Sequence, residues 1–271
     1  MAKIRLDSLL FVQGLVESRE KARAVIIAGE VRVNGAPMDK PGTKVDEHVE
    51  LIVVPRKAKY VSRGGFKMEA AIHDFAIDFR EKVVLDVGAS TGGYTDCALQ
   101  NGAVKVFALD VGYGQLDWGL RNDARVVVME RTNIRYITLE ELGEQVDIIT
   151  VDVAFISTRL IYPVLTQLLK DDGEIVCLIK PQFEAGRDKV GKRGVVKDPA
   201  VHCDVLRQCI KAAGEVGLNC RGITYSPIKG PQGNIEYFIH LKKQLEPLEH
   251  TEAVINEVVR KAHSILEGKK Q

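Results

Sequence analysis

No apolar run in this 271-residue chain approaches the ~20 residues that a bilayer-spanning helix needs. The longest apolar stretches, such as Val146–Val151, are strand-sized and bounded by acids. The N-terminus has no apolar core flanked by a cleavage site, so no signal peptide is expected. Five cysteines (Cys97, Cys177, Cys203, Cys209 and Cys220) include no C-x-x-C pair and leave an odd count. Reduced thiols are the expectation, and a zinc site is not. The six histidines are scattered without metal-ligand spacing, so no metal is expected. Internal repeats and low-complexity segments are missing too. These absences, with an ordinary apolar content of 45%, point to a cytoplasmic globular protein that has no membrane partner.

Charge is nearly balanced overall and unevenly placed. Residues 1–67 carry 13 basic and 8 acidic side chains, whereas the remainder carries 25 and 29. A basic front end on a near-neutral body hints at nucleic acid. The first 54 residues read as a compact unit. Leu6, Leu9 and Leu10, then Ala22, Val25 and Ile26, recur at helical spacing, with Ser18 as N-cap and Gly29 as stop. Val31–Val33 and Val49–Val53 alternate as strands, and Asn34-Gly35 is a hairpin-type turn.

Within that unit Arg5-Leu-Asp7, Ser18-Arg19-Glu-Lys21-Ala, Ile27-Ala-Gly29 and Val31-Arg-Val33-Asn34-Gly35 resemble the S-four-type RNA-binding domain. The resemblance implies that Arg5, Arg19, Lys21, Arg23 and Arg32 lie on structured RNA. Such contacts hold phosphates and read shape more than sequence. The expected boundaries are residues 1–55 for this domain, a proline-broken basic linker over 56–60, and a second domain over 61–271 ending in an amphipathic helix.

The second domain alternates strands and helices from Val61 onward, which predicts a mostly parallel sheet covered on both faces. Its most informative stretch is Lys82-Val-Val-Leu-Asp86-Val-Gly88-Ala89-Ser90-Thr91-Gly92-Gly93, with Asp110 twenty-two residues after Gly88. It reads as a strand, a glycine turn, a helix start and a second strand ending in an acid. Gly88 allows a tight turn, Gly92 and Gly93 would let a ligand approach the backbone, and Asp110 sits where a ribose diol would be gripped. The spacing G-x-x-x-G-G is not that of nicotinamide enzymes. Asp86 at the strand end would repel a pyrophosphate and suit a cationic ligand, so S-adenosylmethionine is the expected cofactor.

Four polar residues stand at further informative places. Asp152 and Lys180 each close an apolar strand, where a parallel sheet binds its ligands, and Lys67 and Glu236 complete the set. In the order Lys-Asp-Lys-Glu they resemble the tetrad of FtsJ-type ribose 2′-O-methyltransferases. With Ser62-Arg63-Gly64-Gly65-Phe66-Lys67, Glu130-Arg-Thr-Asn133-Ile-Arg135 and Lys180-Pro-Gln-Phe-Glu184, the chain is similar to the TlyA family over about residues 3–242. That family comprises rRNA methyltransferases often labelled haemolysins. The resemblance implies a Rossmann-like methyltransferase domain and ribosomal RNA or a ribosomal subunit as partner. It further implies that Asp86 to Gly93 and Asp110 hold the cofactor, that Asn133 lies by the adenine, and that the tetrad handles the ribose hydroxyl.

A 2′-hydroxyl is a poor nucleophile whose proton must leave as it attacks. Lys180 can take that proton only as the neutral amine; otherwise it orients the hydroxyl. The segment Gly186–Lys197, with Lys189, Lys192 and Arg193, reads as a mobile basic loop beside Lys180 that grips RNA, as Arg63 does nearby. The sequence speaks against three other functions. An amine methyltransferase would place Asn/Asp-Pro-Pro-aromatic after the fourth strand, where this chain has Asp152-Val-Ala-Phe155. A haemolysin would need a lytic or spanning segment, and a non-catalytic assembly factor would have a broken tetrad.

Overall fold

The computed structural model describes residues 3–54, 58–243, 246 and 248–267. Positions 56 and 57 of the expected linker lie outside the described residues. The chain divides into two compact units that meet at residues 59 and 60.

The first unit runs β1 (Lys3–Arg5), α1 (Leu6–Val12), α2 (Arg19–Ile27), β2 (Val31–Val33), β3 (Ala36–Met38), β4 (Lys44–Asp46) and β5 (Leu51–Val53). Ser18 Oγ accepts from the Lys21 backbone N–H at 3.1 Å, capping α2, and Gly29 ends it at φ +72°. The β2–β3 hairpin turns through Asn34 and Gly35, both at positive φ, the geometry that Asn-Gly supplies. Leu6, Leu10, Ala22, Ile26 and Val31 form the fully buried centre of its small core.

The second unit runs α3 (Gly64–Phe75), β6 (Val83–Val87), α4 (Gly93–Gln100), β7 (Lys105–Leu109), α5 (Trp118–Arg121), β8 (Val126–Met129), α6 (Leu139–Leu142) and β9 (Val146–Val151). It continues through α7 (Tyr162–Leu168), β10 (Leu169–Ile179), α8 (Pro181–Glu184), α9 (Pro199–Gly214), β11 (Leu218–Tyr225), β12 (Tyr237–Lys243) and α10 (Thr251–Glu267). Seven strands make one sheet in the order β11-β12-β10-β9-β6-β7-β8. Its central pairs are parallel, and β12 is inserted antiparallel between β10 and β11.

Both faces are covered, which is why the strands read as apolar runs. Successive residues of β9 alternate between layers: Ile149 and Val151 pack with α7, α9 and α10, while Ile148 packs with α3, α4 and α5. The α10 helix buries Ile255, Val259 and Ala262 in the first of these layers. β10 begins at Leu169, well ahead of the apolar run Ile175–Ile179 that Lys180 follows. Its polar stretch Lys170–Gly173 carries a register irregularity against β9 and had no apolar signature to reveal it. Among the described residues no helix is long and apolar enough to cross a membrane.

Candidate active site

Strand order reverses around β6, whose neighbours are β7 and β9, and the ends of these strands open a crevice. The turn after β6 is fixed by contact with β9. Gly88 has φ +87°, and a Cβ on it would come within 2.4 Å of the Asp152 carbonyl oxygen. Two residues on, Ser90 holds φ +51°, a left-handed conformation costly for a non-glycine and concentrated at functional turns.

A cavity of about 550 Å³ fills the crevice. Gly88, Ala89, Ser90, Thr91, Gly93 and Asp110 form one wall. The Asp110 carboxylate spans two turns, Oδ2 accepting from the Ser90 N–H at 2.8 Å and Oδ1 from the Gly112 N–H at 2.7 Å. Lys67, Asp152, Lys180 and Glu236 line it too, as does the exposed Arg63.

These four residues form two ion pairs. Lys67, in the first turn of α3, donates to Glu236 Oε2 at 2.6 Å, and both are buried. Lys180 Nζ lies 2.5 Å from Asp152 Oδ1. The topology explains the assembly: Asp152 and Lys180 follow parallel neighbours β9 and β10. Glu236 precedes β12, which runs the opposite way and so starts at the same edge. Glu236 Oε1 is buried without a donor among the described residues, packed so close to Gly230 that a Cβ there would come within 2.5 Å. The four side chains thus resolve into one carboxylate for each lysine.

Three expected cofactor residues are not in the cavity wall. Asp86 is buried beneath it, Oδ2 accepting from Thr95 Oγ1 at 2.7 Å and Oδ1 from Thr150 Oγ1 at 3.0 Å. It ties α4 to β9 instead of facing a ligand. Burial pushes its carboxyl up to about 6, opposed by the two threonine hydroxyls and assisted by the nearby Asp152 charge. Asn133 uses Oδ1 to accept from the Arg135 N–H at 3.1 Å, and its neighbour Ile134 lines the cavity in its place. Gly92 makes room for protein, since a Cβ there would strike Leu120 at 2.3 Å. Gly93 does likewise, a Cβ reaching Ser62 Oγ at 2.2 Å and the Gly65 nitrogen at 2.9 Å, so the starts of α3 and α4 abut.

Sequence reasoning missed Tyr94, Gln115, Phe155 and Pro231, which also line the cavity. An aromatic residue inside an amphipathic helix reads as core, and Tyr94 is buried. Yet its hydroxyl has no partner among the described residues, and its ionisation is pushed far up by burial. A second cavity, of about 490 Å³, shares Lys180 and Glu236 with the first and adds Gln182, Phe183 and Arg193. Phe155, 91% exposed and at φ +63°, lies on both, its ring 5.1 Å from that of Phe183. The two ion pairs therefore stand where two cavities meet.

The expected RNA-contact residues fall in separate groups. Arg5, Arg19 and Arg23 converge on the buried Asp7 carboxylate. Arg5 Nη2 is 2.8 Å from Oδ2, Arg19 Nη2 3.7 Å and Arg23 Nε 3.9 Å. Hydrogen bonding to Arg5 holds the Asp7 carboxyl below the usual carboxylate range, against its burial. Lys21 and Arg32 are exposed in the same unit. Lys189, Lys192 and Arg193 line a further cavity of about 940 Å³ with Lys197 and Lys229. Their loop is less free than its composition suggests. Asn234 Nδ2 donates to the Gly194 carbonyl at 2.8 Å, and Asn234 Oδ1 accepts from the Val196 N–H at 3.0 Å.

A doubly wound sheet with an inserted antiparallel strand, an acid-bearing glycine turn at its switch point and a lysine–carboxylate set across the crevice defines a Rossmann-like transferase. The FtsJ-like methyltransferase family matches residues 60–243, and the S4 domain matches residues 4–51. YqxC of Bacillus subtilis (strain 168) is 50% identical over 99% of this chain and 97% of its own length. The 16S/23S rRNA (cytidine-2′-O)-methyltransferase TlyA of Mycobacterium tuberculosis is 44% identical over 90% of this chain and 91% of its own. A solved structure from Streptococcus thermophilus, 43% identical, covers 100% of this chain and 99% of that one with a TM-score of 0.76. The chain belongs to the TlyA family of FtsJ-like methyltransferases.

Proposed function

We propose that the protein transfers a methyl group from S-adenosylmethionine to a ribose 2′-hydroxyl of ribosomal RNA. The pairing of Lys67 with Glu236 and of Lys180 with Asp152, between a nucleoside-sized cavity and a second cavity open to a nucleotide, carries this reading. The first cavity fits the cofactor. Asp110 presents acceptors for a ribose diol, the Gly88 turn closes against β9, and the volume lies in the range of small-ligand sites. When bound there, the cofactor supplies an electrophilic methyl group on a sulfonium.

The chain's own residues act on the hydroxyl. As the hydroxyl attacks, its proton would pass to Lys180, which acts as the neutral amine after its ammonium has released a proton to solvent, with Asp152 fixing the Nζ in place. Lys67 and Glu236 hold the opposite side of the hydroxyl's approach, and orientation supplies much of the rate. The Arg5–Arg19–Arg23 face, Lys21 and Arg32 grip the RNA from the first unit. In the second unit Arg63, Lys189, Lys192 and Arg193 hold phosphates beside the target.

Single-turnover transfer to ribosomal subunits tests the assignment. Lys180→Ala is expected to abolish transfer while cofactor and RNA binding persist, because only the transition state loses an interaction. Lys180→Arg is expected to fail nearly as badly, since a guanidinium keeps its proton. Robust transfer by Lys180→Arg would reduce Lys180 to an orienting role, and robust transfer by Lys180→Ala would remove the site.

A further inference from the structure

Gln182 lies two residues beyond Lys180, in the short helix α8 that Lys180 itself N-caps, with Pro181 at its first position. One rigid turn therefore carries both side chains. Gln182 lines the cavity of about 490 Å³ shared with Lys180 and Glu236, and also a neighbouring one of about 590 Å³. Its amide oxygen Oε1 is buried, and no donor reaches it among the described residues. An amide end shut from solvent without a partner weakens folding, so packing gives no reason to keep one here. Either assignment of the amide ends leaves one of them unmet.

We infer that Gln182 reads the hydrogen-bonding edge of the target nucleobase. The inference rests on the proposed ribose methylation: with the ribose at Lys180, the base attached to it enters the 490 Å³ cavity. Side chains that bind an extruded base meet it through hydrogen bonds to its Watson–Crick edge and through apolar or aromatic walls. Phe155 and Phe183 supply such walls, and the Gln182 amide supplies one acceptor and a donor group side by side. That pair complements the adjacent amino group and ring nitrogen of cytosine. Rotation about the last side-chain bond would turn the buried oxygen into the cavity, where the base would give it the partner that none of the described residues supplies.

The test compares wild type with Gln182→Met, which keeps the length of the side chain and removes its polar atoms. Two RNA substrates are used, one carrying the target nucleotide and one an abasic ribose at that position. Gln182→Met is expected to retain or raise thermal stability and to lose roughly tenfold in single-turnover rate on the intact target, the worth of about one hydrogen bond. On the abasic ribose the two proteins are expected to transfer at the same rate. An equal loss on both substrates would show that Gln182 acts on Lys180 and not on the base, and no loss on either would also overturn the inference. If Gln182→Met fails to fold, Gln182→Ala takes its place, because the argument needs only the amide removed. Absence of transfer by wild type to the intact target would overturn the ribose-methylation reading and this inference with it. Wild-type transfer with an unchanged Gln182→Met rate would overturn this inference alone.

Discussion

Asp86 shows how one side chain can look like a ligand contact and act as a fastener. Its position at a strand end before a glycine turn is where an acid meets a cofactor, but the two threonines claim its oxygens first. Because burial raises its carboxyl to about 6, the folded protein holds that proton more tightly than the unfolded chain does. Its contribution therefore favours folding below about pH 4 and is lost as the pH rises through about 6, a swing on the order of 3 kcal/mol. Asp86→Asn is expected to be more stable than wild type at pH 8, with the difference closing toward pH 4. Denaturant unfolding across that range measures it, and a gap independent of pH would contradict the assignment. Asp152 and Lys180 were legible in the sequence because a charge ending an apolar strand is conspicuous. Glu236 precedes its strand and was read as the last member of the tetrad, and the antiparallel insertion of β12 explains how it reaches the same edge. That Tyr94 and Gln182 lack partners among the described residues is a property of packing and leaves no trace in spacing.

At the scale of elements, α1 and α2 are joined by charge as well as by their leucines. Asp7 sits fully buried in α1 while Arg19 and Arg23 reach it from α2, and Arg5 chelates it through two nitrogens. The sequence displayed the arginines as a basic face and left their common anchor unread, because an aspartate in a first helical turn has an ordinary explanation at a helix N-terminus. Asp7→Ala is expected to loosen α1 against α2 by about 1–3 kcal/mol. Amide hydrogen exchange should then quicken on those two helices and stay unchanged in β6, β9 and β10. Unchanged exchange on α1 and α2 would show the carboxylate to be incidental. Strand–helix alternation made the layered sheet legible, as did the Asn-Gly hairpin and the Ser18 cap. The strands β1, β3 and β4 were not, because β1 and β4 each offer a single apolar residue and Pro37 interrupts β3, whereas β2 and β5 have apolar residues at both ends.

The whole molecule combines an S4 unit with a methyltransferase sheet, the first proposed as a grip on RNA and the second as the place of chemistry. Within the sheet unit the crossovers gather a strand-end acid, a strand-end lysine and an antiparallel strand's leading glutamate at one edge, and α3 brings Lys67 to them. The central claim is that this edge methylates ribose. Mapping 2′-O-methyl groups on ribosomal RNA after reaction with the full chain and S-adenosylmethionine tests it most directly, with Lys180→Ala as the paired control. New ribose 2′-O-methyl groups are expected with the wild type and none with the variant. Methyl groups found on bases or on ribosomal proteins, or the same ribose methyls from Lys180→Ala, would contradict it.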